Sequence, residues 1–258
     1  MGTEYNALAK LYDAFQSDVA PDAWASFVHR LVQKHGNKGI EGQGDNGRLL
    51  LCDLGCGTGS VTLALRDLGY DVIGIDISPE MLQIASTRDG HEGVLFLCQD
   101  MRKLDLFGSV DVFTSLLDTI NHIPDEKGIA KLLASFHNFL QPGGLFVFDV
   151  ATETHFTTSL GEEFFYDIDD DYTVLWENHY QPKTKKNRAM VTAFFKEQSG
   201  LYSREDTEIT EKFYSHEALL SLIDSAGLQC KGIYGDLKMR APSATDERVF
   251  YVVQRPNE

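Results

Sequence analysis

The sequence contains few of the residues on which a covalent or metal-bound scaffold depends. Its 258 residues include only four cysteines, and no two of them form a C-x-x-C pair. Neither a disulfide framework nor a zinc site built from His and Cys is expected from this spacing. A chain of this length can bury a large core without cross-links. The pattern therefore predicts reduced, mostly buried thiols, no metal ion, and a cytoplasmic protein.

Long hydrophobic runs are also missing. The apolar stretches are far shorter than the roughly 20 residues that a membrane helix needs. The N-terminal stretch MGTEYNALAKLYD has neither the basic start nor the apolar centre of a secretory signal. We therefore expect no association with a membrane.

Positive charge is scarce. Lys and Arg number 23 against 39 Asp and Glu, which gives a formal net charge of −16. Such a chain repels a phosphate backbone at long range, so a nucleic-acid partner is not expected. The hydrophobic content of 43% is that of an ordinary globular protein and argues against global disorder.

Short apolar segments alternate with amphipathic helical segments between residues 49 and 150. This order predicts an α/β fold with a doubly wound, mostly parallel sheet covered on both faces. Residues 160–214 instead alternate as extended segments joined by polar turns, which predicts an antiparallel meander of about three strands. Helical patterns precede the sheet over residues 4–16 and from Pro21 onward, and five glycines between residues 36 and 47 predict a flexible loop.

The strongest motif is LLLCDLGCGTG at residues 49–59. A buried strand ends at Asp53, and Gly55, Gly57 and Gly59 follow with Cys56 between the first two. Glycines remove the Cβ where a ligand must approach the backbone closely. The free N–H groups at the start of the next helix can donate to an anionic group. We interpret these five positions as part of a cofactor site.

Two further strand ends carry groups that suit an adenosine. Asp76 ends the second predicted strand, where a carboxylate can accept from both ribose hydroxyls. Asp100 follows the third strand and could accept from the adenine amino group, while the Met101 N–H could donate to a ring nitrogen. Ile77, Met81 and Met101 offer apolar faces for the purine.

Together these segments resemble the class I S-adenosylmethionine-dependent methyltransferases. The similarity is carried by D-L-G-C-G-T-G at 53–59, G-I-D-I-S-P-E-M at 74–81, Q-D-M at 99–101 and Q-P-G-G at 141–144. The resemblance implies a seven-stranded, Rossmann-like sheet whose last strand is antiparallel. It also implies that S-adenosyl-L-methionine lies across the carboxyl ends of the first three strands.

The same resemblance divides the chain into four parts. Residues 1–47 would form N-terminal helices and a glycine-rich loop that act as a lid, and residues 48–150 the cofactor-binding core. Residues 151–214 resemble the small antiparallel β subdomain inserted after strand five in small-molecule methyltransferases. Residues 215–258 would complete the core.

The acceptor is implied to bind over the end of strand four, at residues 115–123. There the T-I-N-H-I segment is similar to the S-I-G-H-L of aminosugar N-methyltransferases, which places His122 at the acceptor amine. The resemblance also assigns Leu116 to the cofactor site, Asp118 to the acceptor or the cofactor, and Tyr12 to the catalytic site. The alternatives are a surface histidine, a loop-capping aspartate and a core tyrosine. No basic residue shortly follows Tyr12, so the partner of the methionine carboxylate stays open.

The expected function is transfer of a methyl group to nitrogen or oxygen of a small molecule, by a monomer or homodimer. Two alternatives stay open. A nicotinamide-dependent oxidoreductase is disfavoured because a dinucleotide fingerprint would have Gly or Ala where this chain has Ser60. A catalytically silent protein that binds S-adenosylmethionine would use the same pocket without methyl transfer.

Overall fold

A computed structural model describes residues 9, 11–36, 42–161 and 164–257 of the chain. Its larger sheet, sheet A, has seven strands in the order β10-β11-β5-β4-β1-β2-β3. Only β11 runs antiparallel to its neighbours. The strands are β1 Leu50–Leu54, β2 Asp71–Asp76, β3 Leu95–Cys98, β4 Val110–Ser115, β5 Leu140–Ala151, β10 Gln229–Gly235 and β11 Arg248–Gln254. The predicted doubly wound sheet with an antiparallel last strand is confirmed.

Helices cover both faces of sheet A because the central strands are apolar on both sides. All six residues of β4 are buried, and β5 is buried over most of its length. Two large apolar clusters fill the spaces between sheet and helices. The helices are α1 Tyr12–Phe15, α2 Pro21–His35, α3 Ser60–Asp67, α4 Pro79–Ala85, α5 Glu126–Phe139 and α6 His216–Ser225.

A second, antiparallel sheet follows β5. Sheet B contains β6 Phe164–Ile168, β7 Tyr172–Gln181, β8 Lys186–Lys196 and β9 Tyr202–Lys212, paired in chain order. Its position after strand five is confirmed, but it has four strands where the sequence predicted about three. The additional strand is β6, an edge strand that carries both aromatic and acidic side chains.

The described part of the N-terminal segment packs against both sheets. Helix α2 has one apolar face, including Phe27 and Leu31, buried against sheet A. The backbone N–H groups of Gln43, within the predicted glycine-rich loop, and of Leu50, at the start of β1, both donate to Asp111 at 2.8 Å. Residues 1–8, 10 and 37–41, which belong to the predicted N-terminal helix and loop, lie outside the described residues. Among those described, no helix has the length and apolar character to cross a membrane.

Candidate active site

A cavity of about 620 Å³ lies at the carboxyl ends of the central strands of sheet A. Its walls come from the bend after β1, the ends of β2 and β3, the turn after β4, helix α1, sheet B and the start of β11. This edge of a parallel sheet is where open α/β folds bind their ligands. Parts of the chain that are distant in sequence therefore meet at one site.

The glycine bend after β1 forms one wall of the cavity. Gly55 and Gly57 both have positive φ angles, of 74° and 54°, which favour glycine. A Cβ on Gly55 would lie 2.3 Å from the Cγ2 atom of Thr119, so a side chain there would collide with the turn after β4. A Cβ on Gly57 would instead point toward Tyr12 across the cavity. At position 55 the contact with Thr119 excludes a side chain, whereas at position 57 the left-handed backbone favours glycine.

Asp76 stands at the end of β2 and closes this bend. Its two carboxylate oxygens accept from the Gly57 N–H and the Ser78 N–H, each at 2.8 Å. Burial raises the pKa of this carboxyl, and the backbone donors act in the opposite direction. A carboxylate oxygen has more than one acceptor site, so Asp76 can still accept from a ligand hydroxyl.

The end of β3 supplies the next part of the wall. Met81 is buried and lines the cavity together with Ile77, Met101 and Asp100. Asp100 receives two side-chain hydrogen bonds from Arg102, at 2.8 and 2.7 Å. These hydrogen bonds lower the pKa of Asp100 below its ordinary value. Asp100 is therefore an ionised acceptor whose orientation is fixed by Arg102.

Two predicted cofactor residues do not reach the cavity. The Asp53 carboxylate is buried and accepts from the hydroxyls of Thr62, at 2.6 Å, and Thr114, at 2.7 Å. Asp53 therefore links α3 to β4. It does not line the cavity itself, but it supports the bend that does. Cys56 packs under Gly74, where a Cβ would lie 3.0 Å from its sulfur. Burial raises the pKa of this thiol well above its ordinary value, which keeps it protonated.

Two more predicted positions lie behind the cavity wall. Gly59 caps α3 with a φ of 81°, and a Cβ there would lie 3.1 Å from the Cβ of Ala85. Its role is close packing against α4. Leu116 is 4% exposed and belongs to the core beneath helix α2. The neighbouring Leu117 lines the cavity instead.

The turn after β4 lines the cavity with residues whose backbone is strained. Leu117 and Asp118 both have positive φ angles, of 57° and 55°. The Asp118 N–H donates to the Asp149 carboxylate at 2.9 Å, and Arg248 pairs with Asp149 and lies 3.6 Å from Asp118. Burial alone would raise the pKa of Asp118, but Arg248 and the imidazoles of His122 and His155 outweigh it, so the pKa is lowered. This pairing holds two consecutive left-handed residues in place.

His122 ends the short 3₁₀ helix Thr119–His122, here called the acceptor turn, and lines the cavity. Its Nε2 lies 3.9 Å from Oε1 of Glu211 on β9. Tyr12 lines the same cavity from α1, so the structure brings all three predicted catalytic residues, His122, Asp118 and Tyr12, to one space. Burial, with the nearby carboxylates of Asp118 and Asp76, raises the pKa of the Tyr12 hydroxyl. The Tyr12 side chain is accordingly a neutral donor at physiological pH.

Sheet B closes the side of the cavity opposite the glycine bend. Phe165 and Tyr166 of β6 and Trp176 of β7 line this side. Phe15 of α1 packs edge-on against Trp176, with ring centroids 5.7 Å apart. The sheet B side of the cavity is consequently rich in aromatic side chains, whereas the bend side is built from backbone and carboxylates.

Helix α1 is pinned over the bend by Asp13. Its carboxylate accepts from the Thr58 hydroxyl at 2.6 Å and pairs with Arg88. Arg88 also donates to the Thr58 carbonyl oxygen at 2.9 Å. This contact fixes Tyr12 and Phe15 against the cavity.

Sequence reasoning missed Arg248, Asp149, Glu211 and Arg88. Arg248 is 126 positions beyond the end of the acceptor turn along the chain, and no motif surrounds it. Glu211 is one of four acidic residues on β9. Its burial, which distinguishes it from its neighbours, arises only when β9 packs against the acceptor turn. No signal in the single sequence would have selected these residues.

Comparisons with known proteins point to one family of enzymes. A methyltransferase domain model matches residues 51–144, the segment that builds β1 to the start of β5. A crystal structure of an S-adenosylmethionine-dependent methyltransferase from Clostridium acetobutylicum superposes with a TM-score of 0.82 and 25% identity. The similarity covers 98% of this chain and 99% of that one, including sheet B. These similarities support a class I S-adenosylmethionine-dependent methyltransferase.

Further proteins named as methyltransferases are similar to this chain over most of its length. YqeM of Bacillus subtilis (strain 168), provisionally named a methyltransferase, is 26% identical over 97% of both chains. A provisionally named methyltransferase of Geobacillus sp. (strain WCH70) is 28% identical over 97% of this chain and 99% of its own. The sugar N-methyltransferase KedS8 from Streptoalloteichus has the same fold, with a TM-score of 0.74 at 20% identity over 95% of this chain and 92% of its own.

The cavity of this methyltransferase fits the methyl donor of its family. Gly57 leaves space where a side chain would enter the cavity, and Asp76 holds an acceptor beside it. Asp100, Met101 and Met81 line the same cavity and offer it both polar and apolar groups. We infer that these residues would hold the adenosine part of S-adenosylmethionine.

Proposed function

We propose that this enzyme transfers the methyl group of S-adenosylmethionine to nitrogen or oxygen of a small molecule. When bound, the donor supplies a methyl group on a positively charged sulfur, which departs as a neutral thioether. The chain's own residues then have to align the acceptor and exclude water. They also have to receive a proton where the acceptor nucleophile carries one.

One observation carries this proposal: a single cavity joins the predicted cofactor wall to an aromatic wall from sheet B. Asp76 and Gly57 lie at one side, and His122 and Trp176 at the other. With a nucleoside against the first wall, the second is left for the acceptor. The cavity is of the size that small ligands occupy and lies beneath sheet B and α1. This enclosure favours a small molecule over a macromolecular surface.

The polar groups on the acceptor side favour nitrogen or oxygen over carbon. His122 can receive a proton from an amine or hydroxyl, and the Asp118 and Glu211 carboxylates lie near it. Two of the structural neighbours are named as sugar or amino pentose methyltransferases, each about 20% identical to this chain. At that identity they share the fold, so the argument for the methylated atom depends on the residues of this cavity.

Methyl-labelled S-adenosylmethionine in a fractionated cell extract tests the proposal. We expect label in a low-mass fraction, on a nitrogen or oxygen atom identified by mass spectrometry and NMR. Label confined to protein or nucleic acid would contradict a small-molecule acceptor. Tight binding of S-adenosylhomocysteine without any labelled product would indicate the silent binder instead.

A thermal-shift comparison tests the cofactor separately. We expect S-adenosylhomocysteine to raise the melting temperature because it binds only the folded state, and NAD to leave it unchanged. The reverse result would favour a nicotinamide-dependent enzyme.

A further inference from the structure

The end of β9 is fastened to the acceptor turn on both sides of His122. Asn121 donates from Nδ2 to the Lys212 carbonyl oxygen at 2.9 Å, and its Oδ1 accepts from the Ala151 N–H at 2.9 Å. The Tyr214 hydroxyl donates to the Ile123 carbonyl oxygen. Asn121 and Tyr214 are both buried. Sheet B and the acceptor turn are therefore held in a fixed relation at the point where His122 lies between them.

Glu211 occupies the position next to this attachment. Its Oε1 lies 3.9 Å from His122 Nε2, which is longer than a hydrogen bond but within ion-pair distance. Its Oε2 accepts from Asn187 Nδ2 at 3.2 Å, and Asn187 is its direct cross-strand neighbour on β8. Asn187 also donates to Asn178 Oδ1 at 3.1 Å, and Asn178 accepts from Trp176 Nε1 at 3.1 Å. A polar chain thus crosses sheet B from the aromatic wall to His122.

Burial makes this carboxylate dependent on a partner. Glu211 is 7% exposed, and burial raises its pKa while His122 acts in the opposite direction. A buried charge is tolerated only when it is paired and hydrogen-bonded. The other titratable or charged groups around this pair are Asp118 of the loop before the turn, Asp76 of β2, His155 after β5, Tyr12 of α1 and Arg248 of β11.

We propose that Glu211 is a positioning residue for His122, supplied by sheet B. Its carboxylate faces the Nε2 side of the ring at ion-pair distance, favours one orientation of the imidazole, and pairs with the imidazolium when His122 takes up a proton. This inference rests on the proposed function. It also gives sheet B a part in the reaction beyond forming a wall.

The step balances with the groups already named. The lone pair of the acceptor nitrogen or oxygen forms a bond to the methyl carbon as the carbon–sulfur bond breaks. The bonding pair stays on sulfur, which becomes a neutral thioether. The proton of the acceptor passes to His122, and the positive charge it brings is neutralised by the Glu211 carboxylate.

The pair can be tested without knowing the acceptor, by following the histidine ring resonances by NMR as a function of pH. The His122 signal is assigned from its loss in His122→Gln. In Glu211→Gln we expect the midpoint of the His122 titration to move to lower pH by about one unit or more, because an opposite charge at this distance favours the charged imidazole. Glu211→Asp, which keeps a retracted carboxylate, should give a smaller shift in the same direction.

Glu208→Gln is the matched control. Glu208 lies on the same strand but is exposed and pairs with Arg188. It should leave the His122 midpoint unchanged. A Glu211→Gln protein that folds, as shown by its circular dichroism, and titrates like the wild type would overturn the proposal. If Glu211→Gln does not fold, the same comparison made on Glu211→Asp decides, and an unshifted midpoint there overturns it.

Calorimetry with S-adenosylhomocysteine on the same samples separates this inference from the proposed function. We expect Glu211→Gln to bind the nucleoside as tightly as the wild type, since Glu211 lies on the acceptor side. Failure of the wild type to bind it would refute the proposed function, whereas an unshifted midpoint refutes only the role of Glu211. A loss of binding confined to Glu211→Gln would place the residue at the cofactor and contradict the proposal.

Discussion

Both carboxylate oxygens of Asp76 accept a backbone hydrogen bond, from Gly57 and from Ser78. The residue that is predicted to hold the ribose therefore also shapes the bend beside it. Gly57 adopts a left-handed conformation and faces Tyr12 across the cavity. At the scale of single residues, the predicted cofactor site depends on the fixed Asp76 carboxylate as a hydrogen-bond acceptor and on the absence of a side chain at Gly57.

Gly57→Arg should abolish binding of S-adenosylhomocysteine. The new side chain would project into the space that the nucleoside needs, in a backbone conformation that already disfavours it. Isothermal calorimetry measures the affinity. Gly93→Arg is the control, because Gly93 has a similar positive φ of 82° and open space around it. Equal affinity in the Gly57 variant and the wild type would count against the predicted site.

His122→Ala should lower methyl transfer about 100-fold or more while leaving the affinity for S-adenosylhomocysteine nearly unchanged. The reason is that a positioned base typically contributes factors of this size to turnover. The rate is measured as label entering the acceptor found in the extract experiment. His179→Ala, an exposed histidine paired with Glu177 on β7, serves as the control. Loss of both turnover and cofactor affinity would mean that His122 lies at the cofactor instead.

At the scale of elements, α1 is too short to be stable alone and owes its position to tertiary contacts. It has four residues, and Asp13 joins it to Thr58 and Arg88. Phe15 adds an edge-on contact with Trp176 of sheet B. The helix thus bridges the glycine bend and sheet B over the cavity.

Asp13→Ala should weaken S-adenosylhomocysteine binding by a few-fold to about tenfold. It removes the hydrogen bond and ion pair that hold Tyr12 over the bend, and each such partly exposed contact contributes modestly. Calorimetry is again the measurement. Asp18→Ala, an exposed aspartate just after α1, should have no effect. An unchanged affinity in Asp13→Ala would show that α1 does not cover the bound nucleoside.

Most elements of sheet A were predictable from the sequence, and sheet B was less so. The apolar runs at Asp71–Asp76 and Val110–Ser115 match strands because both faces of a central parallel strand are buried. Strand β6 was missed because its residues are nearly all exposed and carry no alternation between core and solvent. Residues 141–144, the Q-P-G-G motif, form a bulge within β5, where the pairing with β4 shifts register.

At the scale of the whole molecule, Arg248 connects four parts of the fold. It extends from β11, pairs with Asp149 of β5 and Asp118 of the loop after β4, and lies over the ring of Trp24 on α2. The two carboxylates raise the pKa of the guanidinium and outweigh its desolvation. The acceptor side of the cavity and the packing of α2 are therefore coupled through one cation.

Arg248→Met should destabilise the protein by about 3–5 kcal/mol at pH 7, since it leaves two neighbouring buried carboxylates without a counter-ion. Urea unfolding monitored by circular dichroism measures the change. Arg188→Met removes an exposed ion pair with Glu208 and should have little effect. Equal stabilities of Arg248→Met and the wild type would contradict the coupling.

The same variant should show a distinct dependence on pH. In the wild type, folding lowers the pKa of Asp118. The resulting stability is fully present at pH values above the pKa of Asp118 in the unfolded chain, and it is lost as the pH falls through its pKa in the folded protein. Without Arg248 the two carboxyl groups repel, which raises their folded pKa values. The variant then gains stability relative to the wild type as the pH falls. The difference in free energy of unfolding between the wild type and the variant should therefore be smaller at pH 5 than at pH 7. A deficit that grows on acidification would refute this account.

The sequence alone determined the doubly wound sheet and the resemblance to class I methyltransferases, and it predicted Gly57, Asp76 and His122 as site residues, because these inferences depend on local periodicity and on closely spaced motifs. Only the tertiary structure decided which side chains face the cavity. Asp53 turns inward to two threonine hydroxyls. Glu211 and Arg248 reach the acceptor turn from strands far along the chain. Such long-range contacts and burials arise from packing between elements, and no local pattern of residues encodes them.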